Sequence, residues 1–315
     1  MKDNPRYTVA IPAFKGAYLK TCIDSVLAQT VHDYELVIVN DCSPDDIDGF
    51  ISSYSNGRIR YYKNETNAGA EHMVNNWNRC LSLAKGEYFV LLGDDDFLDP
   101  DYLQSFDELI ALHPTLEVYH CRSKVVDESG KTIDLTPPCP NYETVYDNMY
   151  YRLSMSRIQY ISDFVYHTAS LREKGGFFNL PLAWGSDDIT SFRACAAKGI
   201  AHCNKPVFNY RESPITITRS GNVRKKMEAI MLQEDWFKQF LQVAPVDALE
   251  QISYQKLLCE LDAFLLRRKA DIIKGVLREQ GFAGVIYWLQ QAKKYGVSKL
   301  LVMRIYLAVI REKKK

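Results

Sequence analysis

The 315-residue chain reads as an α/β protein, a sheet flanked by helices, with a helical C-terminal extension. Three observations predict this. Short apolar runs of strand length alternate with segments whose apolar residues recur at helical spacing. Each of the first strand-like runs ends in a polar loop, and the run at 88–92 ends in Gly93-Asp94-Asp95-Asp96. Beyond Asn222 the composition shifts to helix formers.

In order, residues 7–12 form a buried strand that breaks at Pro12, and Leu19, Cys22, Ile23, Val26 and Leu27 mark the following helix. A second strand spans 34–39 and ends in the acidic loop 40–46, which leads to a short helix. A third strand covers 59–62, a turn 64–69, and a helix about 71–84; residues 88–92 are the fourth strand. This alternation calls for parallel strands joined by right-handed crossovers. The loops at 13–16, 40–46, 67–70 and 93–97 then share the edge where open α/β sheets bind ligands. Past Pro100 come a helix, a strand at 116–122 and a hairpin over 124–135. Residues 136–160 read as irregular and rich in Pro, Asn and Tyr, and a strand at 200–209 follows a helix at 189–198. Helical segments at 223–242, 246–270, 271–280, 282–294 and 297–311 are broken at Pro245, Gly281 and Gly296.

The length allows one large domain with an appendage or two domains, and the composition shift places the boundary between 1–221 and 222–315. Net charge is zero, but residues 1–218 carry an excess of nine acids and 219–315 an excess of nine bases. The first part can hold cations; the second can approach an anionic surface. Eight cysteines without C-x-x-C spacing suggest neither a zinc site nor a disulfide framework, which points to a reducing compartment. No apolar signal region opens the sequence and no stretch has the length of a membrane span, so the expectation is cytoplasmic, with contact at the inner face of the membrane. No nucleic-acid partner is expected.

Adjacent carboxylates such as Asp94, Asp95 and Asp96 raise one another's pKa unless a cation, donors or water relieve them. At a strand end they read either as a divalent metal site or as a solvated acidic turn with Asp99 as N-cap and Pro100 at the first helical position.

Several separated segments, in order over roughly 7–218, resemble the family 2 glycosyltransferases of the GT-A fold, a Rossmann-like mixed sheet. They are Val9-Ala10-Ile11-Pro12-Ala13-Phe14; Ser25-Val26-Leu27-Ala28-Gln29-Thr30; the run from Glu35 to Asp45; Asn67-Ala68-Gly69 with Asn75; and Ala84-Lys85-Gly86-Glu87-Tyr88. The resemblance implies an enzyme that moves a sugar from a nucleotide diphosphate to an acceptor hydroxyl with inversion, in cell-surface polysaccharide or glycan synthesis. It implies Mn²⁺ or Mg²⁺, a UDP-sugar as the favoured donor, and a glycan or lipid-linked acceptor. Asp96 becomes the metal ligand with Asp94 as its chelating partner, while Asp94 or Asp95 reaches the ribose or a metal-bound water. Asp41 takes the nucleotide base, framed by Pro12, Ala13 and Phe14, with Asn67 and Gly69 also in the donor site. Gly93 stands where relatives place the first Asp of the motif.

A second constellation lies at 164–193. Phe164 to Arg172 with Gly175-Gly176-Phe177, then Trp184-Gly185-Ser186-Asp187-Asp188 with Arg193, resemble the family's catalytic stretch, with Ser186 in place of the usual Glu. By resemblance Asp187 is the general base, with Asp188 as the alternative and helix capping as the structural reading. Tyrosines at 142–151 suit sugar stacking or simply lie on the surface. Ser213 replaces a His that helps hold the metal or diphosphate in relatives; Arg211, Thr216, Thr218 or Arg219 could contact phosphate instead. His202 reads as structural, and His72, His113, His120 and His167 are set aside as ligands. The last helices, apolar and interleaved with Lys and Arg, suit membrane-surface docking, or packing and homo-oligomer formation. A sugar-binding assembly protein and a metal-dependent phosphoryl or nucleotidyl transferase are the competing functions.

Overall fold

The computed structural model describes residues 4–212 and 222–313. Four parallel strands form half of the sheet: β1 (Tyr7–Ala13), β2 (Tyr34–Asn40), β3 (Ile59–Lys63) and β4 (Tyr88–Leu91). Helices α1 (Leu19–Leu27), α2 (Ile47–Ser52) and α3 (Met73–Leu83) connect them. β2 is buried along its whole length and β1 nearly so, which explains why both read as continuous apolar runs without alternation. Val9 and Ile11 enter one core, Ala10, Val37 and Val39 the opposite one.

Beyond β4 the sheet becomes mixed. The strand order is β3-β2-β1-β4-β9-β6-β10-β5, where β5 is Phe97–Leu98, β6 Val118–Val126, β9 Phe164–His167 and β10 Ile200–Arg211. β9 runs antiparallel to β4 and β6, whereas β6 and β10 are parallel. β7 (Thr132–Leu135) closes the expected hairpin with β6, and β8 (Tyr142–Glu143) pairs with β10. Helix α4 (Tyr102–Leu112) follows Pro100, as the apolar spacing requires.

The stretch 136–160 is not irregular throughout. It contains α5 (Val145–Leu153), whose N-cap Thr144 accepts the Asp147 N–H at 3.3 Å. Val145, Met149 and Leu153 are its buried stripe; the signal was present, but Pro- and Tyr-rich flanks obscured it. Tyr146 packs on Phe240 and Tyr254, and Tyr150 on Phe264, so these two rings meet the C-terminal helices and not a sugar. Helix α6 (Thr168–Glu173) follows β9, and α7 (Ser186–Cys195) begins three residues earlier than its apolar pattern suggests.

The C-terminal region is α8 (Val223–Phe240), α9 (Ala248–Gln291) and α10 (Lys299–Lys313). α9 runs through 270 without a break, and Gly281, at φ 56 and ψ −131, is its one non-helical position. Ile230 and Phe237 of α8, with Tyr254, Leu257, Phe264 and Leu265 of α9, enter the same core as Phe89 and Phe192. The end of α9 and α10 build a separate cluster around Trp288, yet Phe282, Ile286, Leu300 and Leu307 stay exposed. Among the described residues no helix is long and apolar enough to cross a membrane. Because Leu257 is fully buried in the sheet's own core, Leu257→Ala should lower the unfolding free energy by roughly 3 kcal/mol. Urea unfolding followed by circular dichroism would show it as one shifted transition.

Candidate active site

The first end of the site is built where β1 and β4 release the chain. Asp94 is buried, and its Oδ2 accepts the backbone N–H groups of Phe14 and Lys15, both at 2.7 Å. The loop after β1 is thereby clamped to the acidic loop after β4. Lys15 Nζ lies 3.0 Å from Asp95 Oδ2, a contact the sequence did not single out. Asp96, also buried, accepts the Arg211 N–H at 2.9 Å, which ties in the end of β10. Burial and Asp95 push Asp94 up to about 6, restrained by the two backbone donors. Burial and the neighbouring Asp95 drive Asp96 well above the usual carboxylate range.

Such crowding fits a divalent cation, since three successive carboxylates share one loop, with Lys15 Nζ paired to Asp95 and the charge of Arg211 acting on Asp96. Gly93 belongs to this geometry: a Cβ there would stand 2.8 Å from Asp96 Oδ2. An Asp at position 93 would displace the Asp96 carboxylate, so the missing family carboxylate and the placement of Asp96 are one feature.

Asp41 sits at the end of β2, its N–H bound to Ala13 O at 2.9 Å. Its Oδ1 accepts Asn64 Nδ2 at 2.6 Å and the Ala68 N–H at 3.0 Å, so Asp41 organises the 64–69 turn. Asn67 Oδ1 accepts the Gly69 N–H, and Gly69 takes φ 72, which suits glycine. A cavity of about 550 Å³ opens beside this turn, lined by Lys63, Asn64, Asn75, Asn76 and Arg79. Pro12 and Ala13 therefore end β1, where the strand continues through Pro12 and does not break there, and Phe14, Asp41, Asn67 and Gly69 lie in the adjoining loops at the predicted sheet edge.

Arg211 makes several contacts within the protein. Its Nε donates to Asp95 O and its Nη1 to Asp127 O and Glu128 O, with the guanidinium 4.2 Å from the Tyr18 ring centre. It fastens the β6–β7 turn to the acidic loop. Ser213, Thr216, Thr218 and Arg219 lie outside the described residues.

The second end of the site is the start of α7. Three of residues 182–185 take positive φ (Leu182 59, Ala183 52, Gly185 83), a concentration of backbone strain just before the helix. A Cβ on Gly185 would meet the Gln233 side chain at 2.7 Å, while Gln233 Nε2 donates to Trp184 O at 2.8 Å. Ser186 is fully buried and its Oγ accepts the Leu180 N–H at 3.2 Å.

Asp187 and Asp188 differ sharply. Asp188 Oδ1 accepts Arg152 Nε at 2.6 Å and its Oδ2 faces Arg268 Nη2 at 3.2 Å. Burial alone would raise Asp188, but these two guanidiniums hold it below the usual carboxylate range. Asp187 is half-buried; desolvation and the adjacent Asp188 charge push it up to about 7, with Arg152 pulling back. A carboxylate at 7 beside one locked in the charged form is the electrostatic setting of a general base. Arg152 and Arg268 escaped the sequence reading, because no local pattern connects them to position 188. Arg193 stands 5.7 Å from the Phe178 ring centre.

Comparison with known proteins agrees with this architecture. The family model described as "Glycosyl transferase family 2" matches residues 8–176. The uncharacterized protein y4gI of Sinorhizobium fredii is 27% identical over 238 residues, 71% of this chain and 24% of that protein. The putative colanic acid biosynthesis glycosyl transferase WcaA of Escherichia coli is 30% identical over 148 residues, 44% of this chain and 52% of that one. The matched part thus spans about a quarter to a half of these relatives' lengths. Staphylococcus aureus TarS 1–349 with UDP-GlcNAc superposes with a TM-score of 0.66 at 18% identity, over 98% of this chain and 91% of that one. The mannosyltransferase PcManGT from Pyrobaculum calidifontis with GDP-Man and Mn²⁺ gives 0.56 at 16% identity, over 99% and 87%. The paired loops at the sheet edge, the mixed sheet and the family match together place this chain in glycosyl transferase family 2, with the GT-A fold.

Proposed function

We propose that the chain is an inverting glycosyltransferase in which Asp187 deprotonates an acceptor hydroxyl for attack on the anomeric carbon of a nucleotide sugar. The observation that carries this is the split between Asp187, at about 7, and Asp188, held ionised by Arg152 and Arg268. Fixed charge on Asp188 keeps Asp187 basic enough to take a proton near neutral pH.

At the donor end, Asp41 receives the base, framed by Pro12, Ala13 and Phe14, with Asn67 and Gly69 shaping the neighbouring turn. Asp96 and Asp94 hold Mn²⁺ or Mg²⁺, and Asp94 or Asp95 meets the ribose or a metal-bound water. When bound, that cation offsets the charge developing on the departing diphosphate. UDP-sugars are the favoured donors, in line with the UDP-GlcNAc complex of TarS. WcaA's description supports a cell-surface polysaccharide as the setting, with a glycan or lipid-linked acceptor. Residues 1–221 form the transferase unit. In 222–315, exposed Phe282, Ile286, Leu300 and Leu307 among basic residues form a contact face for the inner leaflet or for a second copy.

Donor-hydrolysis and transfer assays over a panel of nucleotide sugars with Mn²⁺ test this reading. Asp187→Asn should reduce kcat by a factor of about 100 to 10,000 while UDP affinity is retained. Binding without turnover in the parent chain would instead indicate an assembly protein.

The ionised Asp187 is the active form, so kcat/KM should climb roughly tenfold per pH unit below about 7 and level off above it. Asp188, displaced downward, contributes no limb in that window. A flat profile from pH 5 to 9 would contradict the assignment.

Calorimetry should find weak Mn²⁺ binding to the nucleotide-free chain, tightened roughly tenfold by UDP. Tight binding without nucleotide would mean that the protein carboxylates suffice.

A further inference from the structure

Away from the donor loops, β6 and β10 bring His120 and His202 face to face as a registered cross-strand pair. Both are buried, and their Nδ1 atoms stand 3.0 Å apart. His202 Nε2 lies 2.9 Å from Glu143 Oε1, and His120 Nε2 lies 3.4 Å from Asp163 Oδ2. Buried Cys139 completes the group, with donor atoms of all three residues within 4.8 Å of one another.

The hydrogens here do not add up without a further positive charge. If both Nε2–H groups face their carboxylates, neither Nδ1 carries a hydrogen and two lone pairs meet at 3.0 Å. If His120 is the other tautomer, its Nδ1–H satisfies His202, but its bare Nε2 then confronts Asp163. Turning His202 instead sets a bare Nε2 against Glu143. His120 Nε2, Glu143 Oε2 and Asp163 Oδ1 indeed make no hydrogen bond among the described residues. Arg157 donates to Glu143, which leaves the two carboxylates with one positive partner between them.

We propose that His120 Nδ1, His202 Nδ1 and Cys139 Sγ bind a zinc ion, with Glu143 and Asp163 as the carboxylates behind the two imidazoles. Zinc binds His nitrogen at about 2.1 Å and Cys sulfur at about 2.3 Å in four-coordinate sites, so these three side chains leave the fourth position to a water, and ligating imidazoles commonly give their other N–H to a carboxylate. At those bond lengths the donors must lie within about 4 Å of one another, so a small rotation of Cys139 closes the set. Zinc with a thiolate adds one net positive charge, which balances Glu143 and Asp163 against Arg157.

The ion would pin segment 136–143 to the sheet. Cys139 already exchanges backbone hydrogen bonds with Asn204, its N–H to Oδ1 at 2.9 Å and its O from Nδ2 at 2.8 Å. Asp163 also accepts Ser123 Oγ and the Tyr160 N–H, and the adjacent Ser162 Oγ accepts the Gly93 N–H. The cluster thus supports the turn beneath the acidic loop, although His120 is six residues, roughly 20 Å along an extended strand, from the end of β6. It is distinct from the donor site.

The test is a Co²⁺ titration of the full chain after chelator treatment, without nucleotide. One equivalent should bind with a thiolate-to-cobalt charge-transfer band that Zn²⁺ removes. Cys139→Ser should abolish the band, whereas Asp96→Asn, which alters the donor site, should keep it. Equimolar Zn²⁺ should also raise the Tm of the parent chain, a readout independent of whether the variant folds. A band that survives Cys139→Ser, or a parent chain with neither band nor Tm rise, overturns the proposal. In that case an imidazolium proton holds the two rings together.

Discussion

The buried carboxylate of Asp188, held between Arg152 of α5 and Arg268 of α9, is the constraint from which the second half of this molecule follows. An unpaired carboxylate at this depth would cost several kcal/mol, so wherever the start of α7 goes, both arginines must go too. That requirement fixes α5 against α7 and draws the long C-terminal helix onto the transferase core. Gln233 extends the linkage, accepting Arg268 Nη1 at 2.8 Å and donating to Trp184 O. Lys226 adds its ammonium 4.8 Å from the Trp184 ring centre. The strained turn at 182–185 is therefore held from the C-terminal side, and helices that look like an appendage in the sequence set the environment of Asp187.

The acidic loop after β4 uses the same logic with backbone N–H groups in place of arginines. Asp94 and Asp96 are buried acids whose partners are N–H groups of Phe14, Lys15 and Arg211. Each pairing ties a different strand end to the acidic loop. Burial first, and the neighbouring Asp95 charge second, raise Asp94 and Asp96, so this loop favours an added positive charge.

Much of the parallel half of the fold was legible in the sequence. β1, β2 and β4 are buried on both faces, so they appear as unbroken apolar runs, and α1 and α3 carry a clear apolar stripe. The antiparallel half was harder. α5 was hidden because its Tyr146 and Tyr150, which resemble surface or sugar-facing residues in isolation, are buried or half-buried against helices a hundred residues away. The α9 helix was divided in three because Gly281 and the 270–271 junction weaken a local pattern that tertiary packing carries through.

By itself, the sequence determined the element order, the loops that meet at the sheet edge and the identity of the acids there. These depend on local spacing and on strand ends, which are properties of adjacent residues. Only the tertiary structure decided which acid is which. Asp187 and Asp188 are neighbours of the same type, and their difference comes from guanidiniums 36 and 80 residues distant. Gly93 likewise looked like a loss until Asp96 Oδ2 occupied the space a side chain would need, and Ser186 until its Oγ took up the Leu180 N–H. His120, Cys139 and His202 show no metal-binding spacing along the chain; the pairing of β6 with β10 brings the two histidines together, and the hydrogen bonds of Cys139 with Asn204 bring the third. Electrostatics and close packing act through space, so a one-dimensional pattern can name the charged residues but cannot rank them.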